Sequence, residues 1–193
     1  MAVGSDDATD VTSEDVWVFG YASLLWSTGF AHLGVAPARI FGYHRALCVY
    51  SHVYRGSPEA PGLVAGLLPG GSCRGLAFRV SGAAWPEVRD YLHAREMIYG
   101  VYVPRWVNAR IDLAQPELAS VYTFVANPDH AQYAGRLEEA DIARLIRGGT
   151  GSSGSGLDYL ANTVTRLAEL GIRDRSFERV LAVARAAAGR AGN

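Results

Sequence analysis

The stretch Val16-Trp17-Val18-Phe19-Gly20-Tyr21-Ala22-Ser23-Leu24-Leu25-Trp26 decides the fold of this chain. Its first residues are apolar and mostly β-branched or aromatic, which predicts a short strand. The strand ends at Gly20, and the small residues Ala22-Ser23 that follow allow the chain to turn sharply. Such a turn can aim successive backbone N–H groups at one point and bind an anion, for example a ligand carboxylate. A buried strand followed by an ordinary turn is the alternative.

Composition favours one globular domain without a strongly charged partner. The chain has 193 residues, of which 49% are apolar, and this is enough for one substantial core. A formal net charge of −1 gives no indication of a nucleic-acid partner. No apolar run has the length of a membrane helix, and no signal segment opens the sequence. We expect neither a nucleic-acid nor a membrane partner, and no pattern specifies an oligomeric state.

Cysteine and histidine are scattered through the sequence without the spacing of metal ligands. Cys48 and Cys73 lie in apolar, strand-like surroundings. We expect buried thiols in a reducing cytoplasm, with a disulfide as the open alternative. The histidines are more typical of surface or structural positions than of a catalytic or metal site: His32, His44, His52, His93 and His130. We therefore expect neither a metal nor a cofactor.

Strands dominate the first two-thirds of the predicted structure. Residues 1–15 carry five acidic and no basic side chains, and they predict a disordered acidic tail before a single domain at 16–188. A loop is predicted for 29–39, and Pro69-Gly70-Gly71-Ser72 predicts a hairpin turn. The segments with strand character are 40–53, 63–68, 75–80, 99–105, 106–113 and 120–125.

Helical periodicity appears once among the strands and again at the end of the chain. The first helix is predicted at 81–97, with Ser81 as its cap and Pro86 in its first turn. Later helices are predicted to stop at Gly148-Gly149, to begin at the cap Ser155 and to begin at the cap Ser176. Strands followed by helices predict an α+β domain.

Glu96 is the carboxylate that this pattern singles out. Ala84, Val88 and Leu92 recur at every fourth position and mark the inner face of the first helix, and Glu96 continues that series. A carboxylate at the inward end of an apolar stripe is costly to bury, and desolvation raises its pKa, as suits a general base. The alternative is a glutamate at the helix end that is turned to solvent or paired with a nearby arginine.

Several stretches of the chain, over about 16–181, resemble motifs of the ChaC-like γ-glutamylcyclotransferases in the order of that family. FGYASLLW is similar to the family's FGYGSLxW, with Ala22 where glycine is usual. YLHARE resembles the helix that ends in Arg-Glu, and Tyr99-Gly100-Val101-Tyr102 resembles LGGY, from which Tyr99 and Val101 depart. Arg55-Gly56-Ser57-Pro58-Glu59 is similar to RGTPE, and LDYLANT is similar to EYLxNT.

The resemblance implies an α+β fold with a small mixed, partly closed β-barrel and surrounding helices. It implies release of 5-oxoproline from a γ-glutamyl compound, usually glutathione, by attack of the substrate's own α-amine on its γ-carbonyl. Such a reaction requires no protein nucleophile. The same chemistry on another γ-glutamyl amide, and a non-catalytic binding protein on this fold, are the alternatives. The presence of Glu96 argues against the last.

The resemblance assigns the catalytic role to Glu96 and a structural role to Arg95. It implies that the main-chain amides of the opening motif hold the substrate's α-carboxylate. Arg55 is expected either to bind a second carboxylate or to pin its own loop, and the two tyrosines of the set are substrate contacts or core residues. The implied substrate-binding residues are Phe19, Gly20, Tyr21, Ala22, Ser23, Leu24, Tyr102, Tyr133 and Arg55.

Overall fold

A computed structural model of the chain describes residues 14–97 and 99–190, and most of the predicted tail 1–15 lies outside this range. Long strands form a closed barrel in the order β1-β3-β2-β4-β5. Their bounds are β1 (Val16–Gly20), β2 (Gly34–Ser51), β3 (Gly62–Val80), β4 (Tyr102–Ile111) and β5 (Glu117–Ala126). The helices are α1 (Trp85–Glu96), α2 (Glu139–Gly148), α3 (Gly156–Glu169) and α4 (Arg175–Arg190).

The predicted α+β barrel fold is confirmed, and the barrel is closed completely. Closure depends on β1, which pairs antiparallel with β3 and parallel with β5. In the parallel pair, Trp17 lies opposite Val121 and Val18 lies opposite Tyr122. The opening strand is therefore hydrogen-bonded on both sides, and the turn after it is fixed at one end of the barrel.

The interior of the barrel and the outer helix belong to two hydrophobic clusters. The first contains Phe19, Ile40 and Leu63 of the strands together with Leu160 of α3 and Phe177 of α4. The second is formed where α1 packs on the barrel, and its fully buried members include Leu92 of the helix, Val18 of β1 and Val80 of β3. Helix α1 is thereby held against the same strand that leads into the opening turn.

Two strand predictions were wrong in their bounds. The loop predicted at 29–39 is shorter, because β2 already begins at Gly34. The hairpin predicted at Pro69–Ser72 is absent, since 63–68 and 75–80 are parts of the single strand β3. Gly42, Gly70 and Gly71 have positive φ, and the register between β2 and β3 shifts there. The glycines therefore make an irregularity within a long hairpin, and they do not form a turn.

Three smaller predictions concern the extent of β4 and the caps of α3 and α4. The segments 99–105 and 106–113 are one strand, β4. Ser155 caps α3 as predicted, with its hydroxyl accepting from the Asp158 N–H at 3.0 Å. The cap predicted at Ser176 was wrong, because the Asp174 carboxylate accepts from the Phe177 N–H at the start of α4.

The two cysteines are buried free thiols, as expected, and the disulfide alternative is excluded. Burial raises the pKa of the Cys48 thiol to about 12 and also raises the pKa of Cys73. Among the described helices, none is both long enough and apolar enough to cross a membrane.

Packing of α1 on the barrel leads to a stability prediction. Leu92 is fully buried, and we expect Leu92→Ala to lower the free energy of unfolding by about 2–5 kcal/mol through loss of contacts and creation of a cavity. Leu118, at 80% exposure, is a matched control, and Leu118→Ala should change that free energy by no more than about 0.5 kcal/mol. Urea-induced unfolding of the two variants measures both values. Equal effects would contradict the proposed packing.

Candidate active site

A cavity of about 420 Å³ lies where the opening turn meets the end of α1. Its wall includes residues from β1, β2, β3, β4, β5 and α3, and the loop 52–61 forms part of its edge. Most of the predicted site residues line it: Phe19, Tyr21, Ala22, Ser23, Leu24, Arg55, Glu96 and Tyr102. Side chains from distant parts of the sequence therefore meet in one small-molecule pocket.

Glu96 is the last residue of α1, one turn beyond the fully buried Leu92. Its side chain is 20% exposed, and its Oε1 forms an ion pair with the Nε of Arg95 at 3.0 Å. Burial raises the pKa of the Glu96 carboxyl, and the neighbouring Arg95 guanidinium opposes that rise without cancelling it. The cavity thus contains an acid whose pKa is shifted towards neutral pH.

Arg95 connects α1 to the opening turn. Its Nη1 donates to the carbonyl oxygens of Ser27 at 2.6 Å and Thr28 at 3.2 Å. Its Nη2 donates to the Ser23 hydroxyl at 3.0 Å. One guanidinium therefore contacts the Glu96 carboxylate and the turn together, which agrees with the structural role expected for Arg95.

The opening turn presents unpaired main-chain donors. Ser23–Leu25 is a single turn of 3₁₀ helix in which the Leu25 N–H donates to the Ala22 carbonyl at 2.8 Å. The first N–H groups of a helix have no partner within it. Within the described residues, those of Ala22, Ser23 and Leu24 donate to no other group. Ala22 has φ −141° and ψ −115°, so its φ is not in the left-handed region that favours glycine.

Gly20 does not line the cavity. A Cβ at this position would approach the Leu24 Cβ to 2.9 Å and the Phe78 ring to 3.0 Å. The glycine is needed because the turn folds back closely on the strand. Its role in the structure is to permit the turn, and the cavity wall is made by its neighbours.

Two tyrosine hydroxyls bind the main chain of one residue in the cavity wall, Ala65. Tyr102 donates to the Ala65 carbonyl at 2.6 Å, whereas Tyr159 accepts from the Ala65 N–H at 3.0 Å. Burial raises the pKa of Tyr102 well above its ordinary value and that of Tyr159 to about 12, so both hydroxyls stay protonated. Tyr159 lies in the LDYLANT motif, to which the sequence analysis gave no place in the site.

Arg55 lies at the edge of the cavity, over the ring of Tyr159 at 5.3 Å from its centroid. Its Nη1 donates to the Ser153 carbonyl, so the arginine does pin its own loop. Partial burial lowers the pKa of the guanidinium. Among the described residues no carboxylate forms an ion pair with it, and the charge remains available to a ligand.

Tyr133 is the other predicted residue that does not line the cavity. It forms an isolated bridge with Val49 and packs on a small separate cluster. The neighbouring Gln132 lines the cavity instead, with its Nε2 donating to the Tyr50 carbonyl at 3.2 Å. Sequence reasoning missed Gln132 and also Thr123, whose hydroxyl donates to the Phe19 carbonyl at 3.1 Å. Thr123 offers only the signal of a polar residue within an apolar strand, and Gln132, which lies in a turn, offers none.

Comparison with solved structures defines the class of fold. The barrel and its helices are similar to the crystal structure of a yeast γ-glutamyl cyclotransferase specific to glutathione. The TM-score is 0.82 at 21% identity, and the match covers 89% of this chain and 96% of that one. At this identity the comparison establishes the fold.

Within residues 14–97 and 99–190, no three His, Cys, Asp or Glu side chains form a potential metal site.

The chain belongs to the family of ChaC-like proteins, whose family model matches residues 16–187. It is 31% identical over 159 residues to the glutathione-specific gamma-glutamylcyclotransferase of Escherichia coli, covering 82% of this chain and 68% of that protein. It is 35% identical over 158 residues to glutathione-specific gamma-glutamylcyclotransferase 1 of Danio rerio, covering 80% and 78% respectively.

The environment of Glu96 leads to a titration prediction. We expect its pKa, measured by carboxyl ¹³C NMR, to lie above the usual value of about 4.3. Arg95→Gln should raise it further, because the guanidinium stabilises the carboxylate. Arg89→Gln is the control, since Arg89 is on the same helix and pairs with Asp90. A fall in the pKa of Glu96 on removal of Arg95 would contradict this assignment.

Proposed function

We propose that this protein is a γ-glutamylcyclotransferase that cleaves glutathione into 5-oxoproline and Cys-Gly. The observation that carries the proposal is that the Glu96 carboxylate lines the same cavity as the unpaired N–H groups of the opening turn. The chemistry requires a base for an amine at one end of the γ-glutamyl group and donors for its α-carboxylate. Family membership and the names of the relatives support the same activity.

In this proposal Glu96 acts first as a base and then as an acid. The α-ammonium of the substrate transfers a proton to the Glu96 carboxylate, and the free amine attacks the γ-carbonyl carbon. The new C–N bond closes a five-membered ring, and the bond from that carbon to the cysteinyl nitrogen then breaks. Glu96 returns its proton to the leaving nitrogen, and the ring nitrogen loses its second proton, through solvent, to the released amine, so that 5-oxoproline leaves as a neutral lactam and Cys-Gly as an ammonium. A pKa raised by burial suits both steps, because it makes the carboxylate a stronger base towards the ammonium group and favours the protonated form that supplies the leaving nitrogen.

The opening turn holds the other end of the γ-glutamyl group. The N–H groups of Ala22, Ser23 and Leu24 would donate to the α-carboxylate and bend the substrate so that its amine faces its own γ-carbonyl. Such positioning can lower a barrier by at most ~7–11 kcal/mol. These donors are main-chain N–H groups, so they can approach the ligand closely.

The two hydroxyls bound to Ala65 would act differently on the substrate. Tyr102 uses its hydroxyl proton in the hydrogen bond to the Ala65 carbonyl, so it can offer only lone pairs to the cavity. Tyr159 accepts from the Ala65 N–H and keeps its own proton available, so it can donate to the oxygen of the γ-carbonyl as negative charge develops. Tyr102 would thus accept a hydrogen bond from the ammonium group, and Tyr159 would donate one to the γ-carbonyl oxygen.

Arg55 is proposed to bind the glycine carboxylate of glutathione. It lies at the cavity edge, over Tyr159, and a guanidinium binds carboxylates bidentately.

We also propose that the protein works in a reducing cytoplasm, which the buried free thiols Cys48 and Cys73 support.

The proposed chemistry predicts the behaviour of Glu96→Gln. We expect release of 5-oxoproline from glutathione, measured by mass spectrometry with other γ-glutamyl compounds in parallel, to fall by about 10²–10⁴-fold. Glu87→Gln, on the exposed side of the same helix, is the matched control and should retain full activity. Wild-type turnover in Glu96→Gln would refute the mechanism. If 5-oxoproline is released only from another γ-glutamyl compound, that compound and not glutathione is the substrate.

The same variant has an expected effect on stability. Because burial raises the folded-state pKa of Glu96, the folded protein loses stability as the pH rises through that pKa. Glu96→Gln carries no charge, so its free energy of unfolding at neutral pH should equal or exceed that of the wild type. Chemical denaturation at pH 5 and pH 8 measures the difference, which should grow with pH.

The role given to Arg55 predicts a selective loss of affinity. We expect Arg55→Met to raise the KM for glutathione by about tenfold or more, through loss of a charge-assisted contact. Glutathione amide, in which the glycine carboxylate is neutral, should show a similar KM with both enzymes. Equal losses for the two substrates would show that Arg55 serves only to pin its loop.

A further inference from the structure

The carbonyl groups of the opening turn are held from outside by arginines. Each donates to a different main-chain oxygen of the segment: Arg45 to Tyr21, Arg95 to Ser27 and Arg166 to Leu25. Arg95 also contacts the proposed catalytic carboxylate, and its place in the site has been described. Arg45, on β2, is a buried charge that the proposed mechanism does not use.

Arg45 is almost fully buried, with 4% of its side chain exposed, and each guanidinium nitrogen has its own acceptor. Nε donates to the Tyr21 carbonyl at 2.6 Å, and Nη2 donates to the Arg74 carbonyl at 2.6 Å. Nη1 pairs with the Asp174 Oδ2 at 3.0 Å, and the other oxygen of Asp174 caps α4. The guanidinium therefore joins the opening turn to β3 and to the start of α4.

The geometry of the peptide bond converts this contact into a constraint on the cavity. The Tyr21 carbonyl and the Ala22 N–H belong to one peptide unit, and no cis peptide bond occurs in the described residues. In a trans peptide these groups point in opposite directions. Tyr21 and Ala22 line the cavity, whereas Arg45 is not part of its lining. A Tyr21 carbonyl directed at Arg45 therefore directs the Ala22 N–H into the cavity.

We propose that Arg45 is a positioning residue, which aims the Ala22 N–H at the α-carboxylate of the γ-glutamyl substrate. This inference rests on the proposed function, because it concerns the same turn and the same ligand group. Arginine is required, since its planar fork reaches Tyr21, Arg74 and Asp174 together. Lysine keeps the charge and can still pair with Asp174, but it lacks the fixed geometry that holds three acceptors.

The chain offers a matched control in Arg166. Its Nε donates to the Leu25 carbonyl at 3.0 Å, which is the same kind of contact to the same turn. The N–H of that peptide unit belongs to Trp26, and it already donates to the Ser23 carbonyl at 3.2 Å. Loss of the Arg166 contact therefore reorients no donor of the cavity. Arg166→Lys removes a similar contact from the turn without affecting the proposed carboxylate site.

The experiment compares both lysine variants in full-length protein that carries Glu96→Gln, so that glutathione binds without turnover. Glutathione is titrated into ¹⁵N-labelled protein, and the amide resonance of Ala22 is followed with the dissociation constant. The parent should show a downfield shift of the Ala22 amide. Arg45→Lys should weaken binding by about tenfold or more and diminish that shift, whereas Arg166→Lys should change the dissociation constant by less than about twofold.

Each result supports or overturns the inference. An unchanged Ala22 shift in Arg45→Lys, or equal losses in the two lysine variants, overturns it. If the parent binds no glutathione, the proposed function fails, and the inference fails with it for that separate reason. Should Arg45→Lys not fold, Asp174→Asn is the second variant, because it keeps an oxygen for the α4 cap and removes the charge that holds Arg45. Its dissociation constant should rise in the same direction, and an unchanged value would overturn the inference.

Discussion

The arrangement of the site depends on one guanidinium, that of Arg95, which binds the carboxylate at the end of α1 and the turn at the end of β1. It reaches the Ser23 hydroxyl, 72 positions earlier in the chain, and the Ser27 carbonyl. The same group pairs with Glu96 at 3.0 Å. Because α1 also packs on β1 through a shared hydrophobic cluster, helix and turn are held together. The acid and the residues of the turn therefore line one cavity.

This arrangement places an ionisable group where the fold alone would favour an apolar one. Leu92 and Val88 continue into the core on the same helical face, and Glu96 interrupts that face at the cavity. Desolvation makes its charged form unfavourable, and the attraction of Arg95 offsets only part of that cost. In the proposed mechanism this cost is useful, since an unperturbed carboxylate would be a weaker base towards an ammonium group. The proposed function and the stability of the fold thus oppose each other at this residue.

Features of the fold that depend on neighbouring residues were predictable, and features that depend on distant pairing were not. The four-residue repeat placed Glu96 on the buried face of α1, and Ser155 was recognised as a cap. The closure of the barrel depends on the pairing of β1 with β5, and no periodicity within one strand reveals that partner.

The errors have the same origin. Gly70-Gly71 is typical of a turn, yet Pro69 and Ser72 on either side of it pair with β2, so the two glycines form an irregularity inside β3. Asp174 and Ser176 are both residue types that favour helix N-caps. Asp174 is the one that caps α4, and it also forms an ion pair with Arg45. Tyr159 is connected to the site by its hydrogen bond with Ala65, which lies 94 residues away in sequence.

A turn that must present free N–H groups to a ligand cannot be stabilised by using those groups internally. Its support has to come through its carbonyl oxygens, and therefore from donors that lie outside it. The chain supplies these donors as arginines, and no lysine occurs in its 193 residues. A guanidinium has five N–H donors in a rigid plane, so one side chain can hold several carbonyls in fixed directions. In this proposal the carboxylate site is specified in part by Arg45, which lies outside the lining of the cavity, and this explains why the opening motif alone does not define its geometry.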